Sequence, residues 1–489
     1  MFDGATTVLV EEGADAAEGA VALLRGYLIP SLGVLLPSLG ASNEPNARVI
    51  VFTSAGADDL GDEGYELRIA PDRVEVVAQA AAGFGWAVQT IRQLLPAEIE
   101  SSQRQPGTFG LPAGIVRDVP RFGWRGVMLD VARHFLPPAA VERVIDLLAA
   151  YKLNHLHMHL TDDQGWRLEI QKYPELTAIG GSTAVGGGPG GYYTQDEYRR
   201  LVVYAAKRGI LVVPEIDMPG HTNAALASLP WLNSDGVARE PYTGAKVGFS
   251  SLCVDREQTY EFVDHVIDEL AQLTPAPYVH IGGDESDATE AEGYRRFLQR
   301  AADIVRSHGK RPVAWEDAAV GDLGRGALVQ HWKYPDRALA GAAQGAGVVM
   351  SPAARTYLDM KYDPATPAEL GITWAGTIDT RAAYQWDPAS HIPDLHATAV
   401  LGLEAPLWTE TVTTLTQAEQ MLLPRLPGYA EIGWSPAEGR SWGEYRRRLA
   451  THAARWTSGG RSFTSDPVVP WPDPVGSSQA EGAGRHGWH

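Results

Sequence analysis

Short, continuously apolar runs alternate with longer amphipathic stretches from about residue 121 to residue 456. Runs of this kind are typical of parallel strands that are buried on both faces. Eight such runs predict strands over Gly126–Val131, Asn154–His159, Leu211–Ile216, Tyr278–Gly282, Pro312–Trp315, Ala327–His331, Gly347–Met350 and Ala399–Glu404. Eight strands that alternate with helices predict an α/β fold, a (β/α)8 TIM barrel.

Amphipathic helices fill several of the intervals between these strands. Apolar positions recur at helical spacing through Ala139–Tyr151, Glu261–Leu273 and Glu290–Ser307. Thr194 and Glu197 have the spacing of a capping box, which predicts the start of another helix. The last two strand–helix units have irregular, proline-rich connections.

The residues that precede the barrel predict a small α/β domain that supports it. Its elements are a helix over Ala17–Leu28, a strand over Arg48–Phe52, a hairpin of Tyr65–Ile69 with Val74–Ala78, and a helix over Ala82–Leu95. We therefore divide the chain into an α/β domain over residues 1–115, a catalytic barrel over 116–472 and a tail over 473–489. The tail is rich in glycine, serine and proline, so we predict that it is disordered.

Composition narrows the classes of partner. The 489-residue chain carries 41 basic and 60 acidic side chains, a formal charge of −19, which argues against a nucleic-acid partner. Residues 27–39 are largely apolar, but Pro30 and Pro37 interrupt them, so we predict no membrane span. Cys253 is the only cysteine, which excludes an intrachain disulfide.

The first residues of the sequence lack the features of a signal peptide. Met1-Phe2-Asp3-Gly4 is followed by acidic residues, with no basic segment and no long apolar segment. As written, the sequence predicts a cytoplasmic protein, and a secreted one if an export signal has been left out.

Polar and aromatic residues follow the carboxyl ends of the predicted strands, where a barrel of this kind keeps its chemistry. Asp284 and Glu285 are the most informative pair, because they follow two glycines at the end of a buried strand. Carboxylates and arginine bind sugar hydroxyls, and indole rings cover the C–H faces of sugars. The strand-end positions predict a sugar pocket built from Arg133, His134, Asp162, Asp163, Asp217, His221, Asp284, Glu285, Trp315, Glu316, Trp332, Tyr357, Asp359, Trp374, Trp408 and Glu410.

Other chemistries are disfavoured by the pattern of residues. His155, His157 and His159 share one face of a predicted strand, but they point into the packed barrel, so we expect hydrogen-bonded core histidines and no metal. The glycine-rich segment 180–191 lacks the Gly-Lys-Ser/Thr of a nucleotide cradle. We expect no cofactor.

Several of these segments together resemble family 20 glycoside hydrolases, the β-N-acetylhexosaminidases, in their bacterial, actinomycete-like form. The similarity is most specific in residues 125–135, 162–166, 217–221, 284–285 and 405–410, and it extends to about Trp471. It implies that the first domain is zincin-like. It also implies an enzyme that removes terminal, non-reducing N-acetylglucosamine or N-acetylgalactosamine from a small oligosaccharide with net retention.

The resemblance assigns a role to each candidate residue. Glu285 would be the general acid/base, Asp284 would hold the 2-acetamido group of the substrate, and Tyr357 would donate to the acetamido oxygen. The acetamido oxygen itself would be the nucleophile, through an oxazolinium ion. The remaining residues would wall the acetamido pocket (Trp315, Trp332, Trp408), cover the sugar (Trp374), hold ring hydroxyls (Arg133, Asp359, Glu410) or support Glu285 (Asp162, Asp217, His221).

Two other functions remain compatible with the sequence. A disaccharide-releasing enzyme on the same barrel would share most of these residues. A non-catalytic sugar-binding protein is the alternative from a different class, although the pair of acids with Tyr357 argues against it. The natural polymer and the oligomeric state are not defined by the sequence.

Overall fold

The computed structural model describes residues 6–38, 48–107, 109–367 and 369–472. The predicted disordered tail, 473–489, lies outside the described residues.

The first domain is a five-stranded mixed sheet with two helices. Its strands, in the spatial order β1-β2-β4-β3-β5, are β1 (Thr7–Val10), β2 (Val49–Thr53), β3 (Tyr65–Ile69), β4 (Arg73–Ala78) and β5 (Gly114–Asp118). The helices are α1 (Glu18–Leu32) and α2 (Ala81–Leu94), whose apolar faces form one hydrophobic core with the sheet. The predicted hairpin is confirmed as the antiparallel pair β3–β4. Because β5 pairs with β3, the first sheet extends to Asp118, and a division after residue 115 falls inside a strand.

Eight parallel strands form a closed barrel, which confirms the predicted fold class. They are β6 (Trp124–Asp130), β7 (His155–His159), β8 (Leu211–Glu215), β9 (Tyr278–His280), β10 (Arg311–Trp315), β11 (Leu328–His331), β12 (Gly347–Met350) and β13 (Val400–Leu407). Each strand pairs with the next in sequence, and β13 closes the barrel against β6. All eight lie where continuous apolar runs predicted them.

Helices cover the outside of the barrel. They are α3 (Pro138–Ala150), α4 (Gln195–Ala206), α5 (Glu257–Leu273), α6 (Ala291–Ser307), α7 (Pro335–Ala343), α8 (Leu415–Leu422), α9 (Leu426–Trp434) and α10 (Trp442–Ser458). Shorter helices cover Glu175–Ala178, Asn223–Ser228, Ala353–Thr356 and Thr380–Tyr384. The predicted capping box is present: the Thr194 side chain accepts from the Glu197 amide, and the Glu197 carboxylate accepts from the Thr194 amide.

The two domains share buried residues. Trp434, at the end of α9, packs within the hydrophobic core of the first domain and donates from its indole to Asp118, at 2.7 Å. The fully buried guanidinium of Arg125, on β6, pairs with Glu63 of the first domain. Lys152 donates to Asp118 at 3.3 Å, and its ammonium lies 4.6 Å from the Trp434 ring centroid. These contacts fix the first domain against one side of the barrel.

Among the helices of the described residues, none combines the length and apolarity needed to cross a membrane.

Candidate active site

The loop after β9 places Asp284 and Glu285 at the carboxyl end of the barrel. The backbone turns at Gly282, where φ is +64°. A Cβ atom at this position would lie 1.7 Å from Oδ1 of Asp217, so a side chain cannot be accommodated. The same Asp217 oxygen accepts from the amide of Gly283 at 3.0 Å. Close contact with Asp217 therefore requires glycine here and sets the direction of the acidic pair.

Glu285 has left-handed backbone geometry, with φ +43°, which is uncommon for a residue with a side chain. His221, on the loop after β8, also lies in this region, with φ +54°. Such conformations cost of order 1–3 kcal/mol each and cluster at functional sites. They direct both side chains toward the same point above the barrel.

His221 links the acidic pair to a buried ion-pair network. Its Nε2 atom lies 3.6 Å from Oδ2 of Asp284 and 3.6 Å from Oε2 of Glu285. Its Nδ1 atom lies 3.3 Å from Oδ1 of Asp162, and Oδ2 of Asp162 forms an ion pair with Arg133 at 2.8 Å. Glu285 is partly exposed, whereas the Asp284 side chain is almost entirely buried. The two neighbouring acids therefore approach one imidazole from different environments.

The surroundings of Asp284 and Asp162 shift the pKa values of these two acids in opposite directions. Burial raises the pKa of Asp284 to about 7; the His221 charge opposes this rise and the Glu285 carboxylate adds to it. Burial works against ionisation of Asp162 as well, but the charges of Arg133 and His221 hold its pKa well below the usual range. Although burial disfavours its charged form, Asp162 and Asp284 raise the pKa of His221 well above the ordinary value. A cationic His221 thus lies between a firmly ionised acid and one that titrates near neutral pH.

Aromatic side chains enclose a chamber beside Asp284. Tyr357 is nearly parallel to Trp332, with ring centroids 6.4 Å apart, and its ring lies 6.2 Å from that of Trp408. Trp374 stands edge-on to Tyr357 at 5.7 Å and is half exposed at the mouth. The Trp332 indole donates to Asp317 at 2.8 Å, which fixes its ring plane. The result is a narrow apolar slot with an acid at one side and a phenol in its wall.

Polar groups complete the lining of the chamber. Arg133 lies 3.9 Å from Glu410 and 4.8 Å from the Trp408 ring centroid. Buried oxygens of Asp284, Asp359 and Glu410 have no hydrogen-bond partner among the described residues. Because unpaired buried oxygens are costly, their convergence on one cavity indicates a ligand with several hydroxyl or amide donors.

Most of the predicted site residues line one cavity of about 430 Å³. It is lined by Arg133, His221, Ala245, Val247, Asp284, Glu285, Trp332, Lys333, Tyr357, Asp359, Ile372, Trp374, Trp408 and Glu410. Ala245, Val247, Lys333 and Ile372 were missed by sequence reasoning. Ala245 and Val247 come from an irregular segment whose pattern carried no signal, whereas Lys333 follows a residue that the strand-end rule had singled out.

Six of the predicted site residues do not line the cavity: His134, Asp162, Asp163, Asp217, Trp315 and Glu316. Asp162 and Asp217 are buried and act through His221 and the Gly282–Gly283 turn described above. Trp315 is also buried: its ring lies 5.8 Å from that of Trp408, and its indole donates to Glu215 at 2.8 Å. In this structure Trp315 supports Trp408 from below.

The histidines of β7 form a hydrogen-bonded network inside the barrel. His157 lies 2.8 Å from Glu404 and 2.9 Å from Glu215, and His159 joins Glu215 to Asp162 through contacts of 2.5 and 2.9 Å. His157, Glu215 and His280 are close enough together to ligate an ion, and a nitrogen of each histidine lies 2.9 or 3.0 Å from Glu215. Glu215, at the end of β8, connects this core network to the site. Sequence reasoning missed it because the apolar run around it predicts only a strand.

Comparison with known proteins agrees with this arrangement. Residues 122–292 and 286–437 match the glycosyl hydrolase family 20 catalytic domain, and residues 2–119 match domain 2 of the same family. The chain is 45% identical to a β-N-acetylhexosaminidase of Cellulomonas fimi over 458 residues, covering 91% of each chain.

Solved structures show the same similarity. A family 20 β-N-acetylhexosaminidase from Streptomyces coelicolor A3(2) superposes with a TM-score of 0.92 at 47% identity, covering 96% of this chain and 95% of that one. A mutant Streptomyces plicatus β-hexosaminidase in complex with its product, GlcNAc, superposes with a TM-score of 0.90 at 48% identity, covering 95% of this chain and 93% of that one. The chain is therefore a member of glycosyl hydrolase family 20.

Proposed function

We propose that this protein is a retaining exo-β-N-acetylhexosaminidase, which removes terminal, non-reducing N-acetylglucosamine or N-acetylgalactosamine from small oligosaccharides. The single observation that carries the proposal is the arrangement of Asp284 and Glu285. They are adjacent on one loop, both 3.6 Å from the same nitrogen of His221, beside an aromatic slot. Relatives that carry the name β-N-acetylhexosaminidase over nearly the whole chain length support it.

The position of the two acids favours a nucleophile supplied by the substrate. A retaining enzyme with a protein nucleophile places its two carboxyl groups about 5–5.5 Å apart, on either side of the sugar ring. Asp284 and Glu285 converge on one imidazole and so approach a sugar from the same edge. The slot beside Asp284, bounded by Trp332, Tyr357 and Trp408, fits a flat, partly apolar acetamido group.

The proposed reaction proceeds in two steps. The acetamido oxygen attacks the anomeric carbon while Glu285 protonates the departing glycosidic oxygen, which gives an oxazolinium ion and a free alcohol. Asp284 accepts from the acetamido N–H and stabilises the positive charge that develops there, and Tyr357 donates to the acetamido oxygen. Glu285, now a carboxylate, then takes a proton from water as that water attacks the anomeric carbon and reopens the ring.

The acetamido nucleophile should contribute at least as much to the rate as the general acid does. General acid catalysis contributes roughly 10²- to 10⁴-fold. A well-positioned intramolecular nucleophile contributes about 7–11 kcal/mol. Residues that hold the acetamido group, Asp284 and Tyr357, are therefore expected to matter at least as much as Glu285.

The depth of the polar wall explains why the enzyme is exo-acting. Arg133 and Asp359 are almost completely buried, so a sugar whose hydroxyls reach them meets a closed wall. Only a chain end fits such a site. The leaving sugar points out past Trp374, which is half exposed.

The deciding test compares aryl glycosides that carry N-acetyl and N-trifluoroacetyl groups. Because fluorine withdraws electrons from the attacking oxygen, kcat should fall steeply along an N-acetyl, N-fluoroacetyl, N-trifluoroacetyl series. A rate that does not respond to fluorination would contradict the proposed mechanism. Parallel assays on N-acetylglucosaminides, N-acetylgalactosaminides and a biose aglycone distinguish monosaccharide release from disaccharide release.

A further inference from the structure

A second large cavity lies between the two domains, away from the carboxyl end of the barrel. Its volume is about 630 Å³, within the range of small-ligand sites. One side is the exposed face of α1, and the others come from α2, α3, the end of α4 and the segment after α10. It is lined by Gly19, Ala22, Leu23, Gly26, Tyr27, Arg92, Glu100, Arg143, Asp146, Lys207, Arg208, Gly459 and Arg461.

The charge of this cavity is opposite to that of the whole protein. Five of its lining side chains are cationic and two are carboxylates, in a chain whose formal charge is −19. Asp146 pairs with Arg208 at 2.6 Å, but the other carboxylates at the cavity are each shared between two arginines. Behind the wall, Oε1 of Glu419 lies 3.1 Å from Arg143 and 3.0 Å from Arg461, so one acid compensates two guanidinium groups.

Glu100, a lining carboxylate, is likewise shared between two arginines. Glu100 pairs with Arg92 and lies 3.5 Å from Arg455, a further cation just outside the lining. Lys207 makes no ion pair with any of the described residues and is exposed at the rim. The cavity therefore keeps a surplus of positive charge, part of it in half-buried guanidinium groups.

This surplus has an energetic cost. Burial lowers the pKa of Arg461, and the neighbouring Arg143 charge lowers it further. Like charges that share one carboxylate in a partly buried cavity repel each other, and a bound anion would relieve that repulsion. Planar guanidinium groups match the oxygens of phosphate in a bidentate geometry, and lysine adds a flexible point charge.

We propose that this cavity is a binding site for a small ligand that bears phosphate groups, either a free polyphosphate or a phosphorylated sugar. The volume exceeds that of one phosphate group, and Tyr27 and Leu23 provide an apolar floor for the remainder of a ligand. A ligand there touches both domains at once, so it stabilises the full-length protein and leaves the sugar chamber free.

Gly26 offers a way to block the cavity without disturbing the fold. It is exposed on helix α1, and a Cβ atom built on it meets no atom within 4 Å. Gly26→Phe should fill the cavity. Gly85→Phe is a matched control, since Gly85 is also helical, its Cβ meets no atom within 4 Å, and it does not line the cavity. Lys207→Gln removes the unpaired cation at the rim.

The experiment measures binding of inorganic pyrophosphate and of glucose 6-phosphate by titration calorimetry at constant ionic strength, with Tm followed in parallel. We expect saturable binding and a rise in Tm for the unaltered protein, for Gly85→Phe and for Glu285→Gln. Gly26→Phe should abolish binding, and Lys207→Gln should weaken it roughly tenfold. Tighter binding of glucose 6-phosphate identifies the phosphorylated sugar as the ligand class, and tighter binding of pyrophosphate identifies the free polyphosphate.

Two results would overturn the proposal. One is the absence of saturable binding by either probe to the unaltered protein. The other is unchanged binding in Gly26→Phe, which would place the anion outside this cavity; its loss in Glu285→Gln would then place the anion in the sugar chamber.

Discussion

Replacing Asp284 by asparagine should make the protein more stable at neutral pH while it removes activity. Burial raises the pKa of this carboxyl from 3.8 to about 7. Below about pH 4 the group is protonated in both the folded and the unfolded states and contributes no difference. As the pH rises from about 4 to about 7, the unfolded chain releases the proton but the folded protein keeps it, so stability falls.

The size of this loss follows from the two pKa values. A rise from 3.8 to about 7 corresponds to about 4 kcal/mol of unfolding free energy, fully lost above the folded pKa. Asparagine has nearly the same shape as the protonated acid and does not titrate. The free energy of unfolding of Asp284→Asn, relative to that of the unaltered protein, should therefore increase by about 4 kcal/mol between about pH 4 and pH 7. Above about pH 7 the difference should stay level.

Urea denaturation of the two proteins across this pH range measures the difference directly, because groups unaffected by the substitution cancel. Asp287→Asn is the matched control, because this carboxylate is three positions further on and is exposed to water. A difference for Asp284→Asn that stays constant across the range would refute the reasoning. It would mean that the folded protein does not disfavour the charged form of this acid.

Three other predictions concern single residues of the site. Glu285→Gln should lower kcat by roughly 10²- to 10⁴-fold on poor leaving groups and much less on aryl glycosides that need no protonation, as judged by a leaving-group series; an equal loss on every leaving group would contradict its role as acid. Tyr357→Phe should lower kcat more than it raises KM, because its hydrogen bond strengthens as the acetamido oxygen attacks, and steady-state kinetics on one aryl substrate separate the two. Gly282→Ala should lower Tm by several degrees and abolish activity, because its Cβ would lie 1.7 Å from Oδ1 of Asp217; a variant that folds with unchanged Tm would show that the turn can move.

The barrel could be predicted from the sequence because its signal is local. A parallel strand buried on both faces must be apolar throughout, and each of the eight runs is bounded by turn residues or polar residues. Once the strands are assigned, the topology brings their carboxyl ends together, so Asp284, Tyr357 and Trp408 could be assigned to one site without knowledge of any distance.

The remaining features depend on packing between distant segments. Strand β1 is apolar but has only four residues, and β5 is largely exposed, so neither gives the long buried apolar run by which a strand is predicted. Whether Trp315 lines the chamber or supports it depends on side-chain direction, which strand position does not define. Val247 reaches the chamber from an irregular segment, and its position depends on the loops around it.

The insertion of Trp434 into the first domain has a practical meaning for anyone who wishes to work with the barrel alone. A fragment that starts after Asp118 would leave an indole, the guanidinium of Arg125 and the ammonium of Lys152 without the surroundings that now solvate them. Such a truncation exposes apolar and charged surface on one side of the catalytic domain. The two domains therefore form one structural unit. Chimaeras between relatives should be best tolerated when both domains are exchanged together.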